Sequence, residues 1–218
     1  KVSGSGDPYG IRRISISLIK ILTDNKLDLD LYEIFNDCKK LNEEQKIEST
    51  KDNKIIVNFL NKRIEVFFTD EGYKAEIIKS CLKPEHFSPY LILIKVKSLS
   101  KFLNSKKGIH FMKAFKRLNS ITENRQENFE IDVSLLKKSE EIKLFETIKD
   151  FKNNAEGNPF AIDEDSYDKL SNAINHFLDN IMVNAKEDDL RMNRKVLLAK
   201  CKDIVSIFFN FSILQIDE

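Results

Sequence analysis

Arg191, Arg194 and Lys195, with Lys202 two turns further on, lie in Asp188–Phe209, where apolar residues recur at helical spacing. Leu190, Leu197, Cys201, Ile204 and Phe208 make the expected buried stripe, and Arg191, Lys195 and Lys202 project together on another side. Arg194 falls at the border between the two. A border arginine packs its stem on apolar neighbours and presents a fixed guanidinium fork. Such a fork suits phosphate contact or stacking on an unpaired base. A second basic cluster, Lys113, Lys116 and Arg117, stands in KAFKRLNSI, where Phe115 and Leu118 can anchor a helix. A plainer explanation exists for both clusters, a solvated charged face. Glu187, Asp188 and Asp189 then serve as ion-pair partners at the last helix, and on spacing alone this explanation carries more weight.

Other chemistry finds few convergent groups. His86, His110 and His176 have no Cys, Asp or Glu at a metal-ligand spacing, and His176 reads as a packed or surface histidine. Asp163, Glu164 and Asp165 are best placed at a helix start, where free N–H groups attract acids. No GxGxxG or GxxxxGK(S/T) phosphate cradle is present. Cys38, Cys81 and Cys201 are far apart, which favours reduced, mostly buried thiols and a cytoplasmic setting. No catalytic residue and no metal ligand is therefore assigned, and no cofactor is expected in this chain. No apolar run is long enough to span a bilayer, so no membrane partner is expected. Lys and Arg total 36 against 35 Asp and Glu. That balance argues against broad coating of DNA or RNA and leaves room for a local basic stripe.

These groups must be positioned by helices. Asp7 and Pro8 look like a helix start, the carboxylate capping and the proline needing no hydrogen bond. Ile11, Ile14, Leu18, Ile21 and Leu22 then share a side, and burial must hold this β-branched run. Further helices are expected from Leu31 to Leu41, capped by Asp28 or Asp30, and over Asn53–Thr69 and Tyr73–Leu82. Tyr90–Phe102 fits strand or helix; helix is preferred because no partner strand is evident. Ile109–Thr122, Val133–Phe151 after Asp132, Glu164–Val183 and Asp188–Phe209 follow, with Asn153–Pro159 as the clearest loop. The expectation is an all-α bundle of about eight helices, with 41% hydrophobic residues to fill its core.

Several ordered motifs resemble one family. DPYGIRR (Asp7–Arg13) resembles DPFALRR, KLDLDL (Lys26–Leu31) resembles GLDLDL, and EGYKAEIIKSCL (Glu71–Leu82) resembles EGYRYDVIDAVLA. KRLNSI (Lys116–Ile121) echoes KR(V/L)xNI. FLDNIMVNAKEDDLRMNRKVLLAKC (Phe177–Cys201) resembles FFDNVMVMAEDEALRANRLALLARL, and FFNFSILQ follows it in the place of FxxxADFSLLQ. The chain thus resembles the C-terminal region of the β subunit of the two-subunit bacterial glycyl-tRNA synthetase. The resemblance implies an all-helical domain like the anticodon-binding domains of arginyl-type synthetases, with DDLR (Asp188–Arg191) in place of their DALR-like segment. It implies a piece of a longer subunit, residues 1–6 being linker from a preceding domain and 7–218 the helical domain.

The resemblance further implies recognition of the anticodon arm of glycine tRNA, beside an α subunit that carries the aminoacylation core. ATP and Mg would act in that parent ligase and not in this chain. Arg191, Arg194, Lys195, Lys113, Lys116 and Arg117 become candidate tRNA contacts, and Asp7, Pro8, Arg13, Asp188 and Asn193 structural motif residues. Asn193 is expected to cap or cross-link local backbone. Two positions depart from the family pattern: Gly10 inside the expected first helix, at a cost of about 1 kcal/mol against Ala unless a close contact uses it, and Asn184 where Met is common. A structural or subunit-contact role, a general RNA-binding module and a stand-alone hydrolase are the alternatives.

Overall fold

The computed structural model describes residues 7, 9–45, 53–82, 87–122, 130–157 and 162–214. Among them are nine α-helices and no strand: α1 (Ile11–Asp24), α2 (Leu31–Glu44), α3 (Asn53–Asp70), α4 (Ala75–Cys81), α5 (Pro89–Leu103), α6 (Lys106–Ile121), α7 (Ser139–Gly157), α8 (Glu164–Asn180) and α9 (Asp188–Val205). The expected all-α class is what the chain adopts, and Tyr90–Phe102 is helical. The chain forms two compact units, residues 1–97 and 98–218, described separately below. The expected linker, residues 1–6, lies outside the described residues, as do Pro8 and His86.

In the first unit the expected start of α1 is displaced. The helix begins at Ile11, and Gly10 precedes it with φ at +66°, a left-handed conformation that disfavours a side chain. Gly10 is therefore outside the helix and meets a backbone demand there. Asp7 still serves the helix start, its carboxylate accepting from the Arg12 N–H at 3.2 Å. The buried stripe is also rotated from expectation. Ile19 and Leu22 are buried with Ser15 and Thr23, while Ile11, Ile14 and Ile21 are exposed. The reason is that α1 packs on α3 along one flank of a stripe too wide for a single neighbour. Of the two proposed caps for α2, Asp30 acts: its Oδ1 accepts from the Tyr32 N–H at 2.8 Å and from the Phe87 N–H at 3.2 Å. Leu60, Ile64 and Phe68 of α3 form the middle of this unit's core, joined by Ile78 and Cys81 of α4.

The second unit is built on α8, which packs against both α6 and α7. Tyr167 of α8 is buried at its centre, with ring centroids of Phe111, Phe151 and Phe102 at 4.8, 4.8 and 5.1 Å. Phe211 joins through Phe111 at 4.9 Å. Edge-on and tilted rings at these separations add specificity to area burial. The turn from α5 into α6 is tight: Ser105 caps α6 by accepting from the Gly108 N–H at 3.0 Å.

Several boundaries differ from expectation. Asp132 caps only a single 3-10 turn, Val133–Leu135, and α7 starts at Ser139. There Glu141 folds back, its Oε2 accepting from the Lys137 and Lys138 N–H groups at 3.0 Å each. This resembles a capping box and breaks the expected continuous helix. The expected loop at Asn153 is helical to Gly157, because contact with α8 outweighs weak local propensity; Asn154 Nδ2 donates to Ser166 Oγ at 3.3 Å. Finally α8 stops at Asn180 and α9 at Val205, so Val205 and Phe209 are buried where Ile204 and Phe208 were expected.

Candidate nucleic-acid interface

The segment between α8 and α9 is pinned at two buried side chains, Ile181 and Ala185. Its backbone carbonyls are held from below by two arginines one turn apart on α9. Arg194 Nη1 donates to the Met182 carbonyl at 2.8 Å, and Arg191 Nη1 donates to the Ala185 carbonyl at 3.0 Å. The pinning leaves Met182 and Asn184 exposed, Met182 at 73%. Together with the end of α6 and one face of α9, this segment encloses a groove of ≈ 670 Å³. Ile121, Thr122, Met182, Val183, Asn184, Arg191, Met192, Lys195, Val196 and Ala199 line it.

The six basic candidates have different placements. Arg194 does not present its fork at the surface. It is 6% exposed, and its Nε donates at 2.6 Å to Glu141 Oε1, itself fully buried. A buried pair of this kind is tolerated only with its remaining atoms satisfied, and here the Met182 carbonyl and the Lys137 and Lys138 N–H groups just ahead of α7 do so. Arg191 is half-buried at the groove and is paired with Asp188 as well as with the Ala185 carbonyl. Lys195 is exposed in the groove and has no hydrogen-bond or ion-pair partner among the described residues. The structure thus brings Arg191 and Lys195 together and turns Arg194 inward beneath them.

The α6 cluster divides as well. Arg117 donates to Asn175 Oδ1 at 2.7 Å and to Asp179 Oδ1 at 2.6 Å, both on α8. It continues a polar seam in which His110 Nδ1 lies 3.1 Å from Asp168 Oδ1 and Lys107 pairs with Asp165. Lys113 and Lys116 are exposed, and neither lines the groove. Among the structural motif residues, Asp188 opens α9 and pairs with Arg191. The Arg13 guanidinium lies over Gly10, 3.4 Å from where a Cβ would stand. Asn193 does cross-link backbone, but not locally: its amide donates to the Asp132 carbonyl at 2.9 Å and accepts from the Asp132 N–H at 2.8 Å. That pair of bonds holds the strand-like approach to α7 against α9.

Sequence reasoning missed Met182 and Asn184 as groove residues, and Glu141 as the partner of Arg194. The only local signal was Asn184, an amide where the family pattern has Met. A second groove, of ≈ 890 Å³, runs between α7 and α8 past Lys143, Asp150, Lys169, Asn172 and His176. Its cations face a carboxylate, so it lacks the single-sign character that phosphates select. Burial pushes the Cys81 thiol up to about 12 and raises Cys201 further, so neither supplies a thiolate nucleophile. Among the described residues no three of His, Cys, Asp and Glu converge as metal ligands, and no helix is long and apolar enough to cross a membrane.

Residues 1–83 match the family model described as glycyl-tRNA synthetase beta subunit. The chain is 27% identical over 220 residues to the glycine–tRNA ligase beta subunit of Erwinia tasmaniensis, covering 97% of this chain and 32% of that protein. It is 28% identical to the corresponding subunit of a Sulfurihydrogenibium species, over 95% of this chain and 29% of the relative. For Aquifex aeolicus the identity is 29%, over 99% of this chain and 30% of the relative. The chain therefore spans about a third of the length of the curated relatives it matches.

Proposed function

We propose, on the premise that this chain is related to the glycyl-tRNA synthetase β subunit along nearly its whole length, that it recognises the anticodon arm of glycine tRNA for a ligase that charges tRNA with glycine. The observation that carries this reading is the groove at the α6–α9 end of the second unit, where Lys195 is exposed and unpaired among the described residues. An unpaired cation beside apolar and amide surface suits single-stranded RNA, whose bases splay out for stacking and edge contacts. Arg191 contributes part of its charge there, while Lys113 and Lys116 add attraction at longer range. Arg194 and Arg117 act by positioning. In this reading ATP, Mg and glycine are handled elsewhere in the parent cytoplasmic enzyme, together with an α subunit, and this chain performs no bond chemistry. The test is filter binding of glycine tRNA to the natural full-length protein with Lys195→Ala and Lys113→Ala/Lys116→Ala. Weakened binding with an unchanged fold is expected; unchanged affinity in both variants would overturn the reading.

A second reading has its own support in the first unit. Ile11, Ile14 and Ile21 leave an exposed apolar side on α1, with exposed Tyr9 just ahead of it, which suits a domain- or subunit-contact role. If that is the whole function, the Lys195 and Lys113/Lys116 variants bind tRNA normally, and polar replacements at Ile14 and Ile21 disrupt assembly instead.

A further inference from the structure

The groove holds two kinds of polar group, those already spent on the protein and those left for a ligand. Arg191 is bonded to Asp188 and the Ala185 carbonyl. Arg194, below it, is bonded to Glu141 and the Met182 carbonyl. Asn184 and Lys195 have no hydrogen-bond or ion-pair partner among the described residues, and both line the groove. Met182 stands on the same rim with 73% of its surface exposed. An exposed methionine is polarisable and flat enough along its thioether to lie on a π-face.

We propose that Asn184 is a specificity-determining residue, reading the edge of one unpaired tRNA base that lies against Met182, with an adjoining phosphate on Lys195. The amide suits this because it carries a donor and an acceptor side by side, matching the paired donor and acceptor on a base edge. Its placement suits it because the two arginine-held carbonyls flank it, so the backbone that carries Asn184 is fixed before the RNA arrives. Preorganised backbone lowers the ordering cost of binding. The arginines, which the sequence singles out, are in this arrangement positioning residues, and the ligand-facing groups are the amide, the thioether and the lysine. This proposal rests on the anticodon-arm reading above and adds to it which residue discriminates.

The test uses the natural full-length protein and glycine tRNA transcripts with each anticodon-loop base replaced in turn, binding being measured for wild type, Asn184→Ala, Met182→Ala and Lys195→Ala. Urea midpoints of the three variants should match wild type, since all three side chains are exposed. Asn184→Ala should abolish the preference at one loop position, a loss of about tenfold in discrimination, and leave preferences at the other positions intact. Met182→Ala should weaken binding at that same position. Lys195→Ala should weaken every transcript about equally and lower the salt slope by about one. If wild type discriminates among the transcripts and Asn184→Ala retains the full preference at every position, the base is read elsewhere and the proposal falls while anticodon recognition stands. If wild type shows no preference for any loop base, the anticodon reading falls and takes this proposal with it.

Discussion

At the scale of single residues, the decisive distinction is between charges that are spoken for and charges that are not. Arg194 shares the last helix with Lys195, yet one is 6% exposed against Glu141 and the other stands in the groove. Removing one partner of a buried pair strands the other charge, so Arg194→Ala should destabilise the second unit by about 3–5 kcal/mol. Arg191→Ala, at a half-buried surface pair, should cost no more than about 1 kcal/mol. Urea denaturation of both variants checks the contrast, and equal midpoints would remove Arg194 from its positioning role. The cysteines make a second contrast. Cys38 is exposed, while burial raises the thiols of Cys81, to about 12, and of Cys201. A maleimide should therefore label Cys38 in the native protein and reach the other two only on unfolding, as mass spectrometry of peptides would show. The contrast between Arg194 and Lys195 is not legible in sequence, because Glu141 lies 53 residues from Arg194.

At the scale of elements, close approach and capping decide which substitutions matter. A Cβ on Gly108 would stand 1.9 Å from the Phe102 carbonyl oxygen, a contact with backbone that cannot swing aside. Alanine gains about 1 kcal/mol of helix propensity over glycine. Overpacking of this kind costs about 1–3 kcal/mol or more, so Gly108→Ala should be net destabilising by urea midpoint despite the better helix former. At α8, Asp163 accepts from the Asp165 N–H at 3.1 Å and from the Ser166 hydroxyl. The Ser166 hydroxyl, ahead of the backbone N–H groups, holds the Asp163 carboxyl below the ordinary carboxylate range. A depressed folded value means stability present above the unfolded pKa of about 3.9 and lost as pH falls through the folded one. The stability difference between wild type and Asp163→Asn should thus be largest near neutrality and vanish in acid; a gap that persists at low pH would contradict the assignment. Asp163→Ala, which removes the cap itself, should cost about 1 kcal/mol at pH 7. Most helices were legible from periodicity and turn residues; Tyr90–Phe102, ambiguous by periodicity, follows from the lack of a partner strand, and the sequence does not choose between Asp28 and Asp30 at α2. The misses have different causes: a left-handed backbone at Gly10, a local cap by Glu141 after Val133–Leu135, and contact with α8 at Asn153.

At the scale of the whole molecule, a net charge of +1 argues against broad nucleic-acid coating but does not decide where a local basic surplus stands. Asp165, Asp168 and Asp179 are spent along the α6–α8 seam on Lys107, His110 and Arg117. Lys113 and Lys195 are left without such partners among the described residues. Few phosphates can be met by so small a surplus, so the logarithm of tRNA affinity should fall with the logarithm of salt with a slope of about −1 to −3. A flat response would exclude phosphate contact, and a much steeper one would place the interface on another surface. The sequence by itself determined the all-helical class, the order of the elements and the similarity to glycyl-tRNA synthetase β subunits, because periodicity and motif order are properties of neighbours along the chain. Only the tertiary structure decided that Arg194 lies under the groove while Lys195 and Asn184 line it. The partners that bury Arg194 and hold Asn193 lie 53 and 61 positions away, and no spacing along one helix encodes which flank its neighbours will cover.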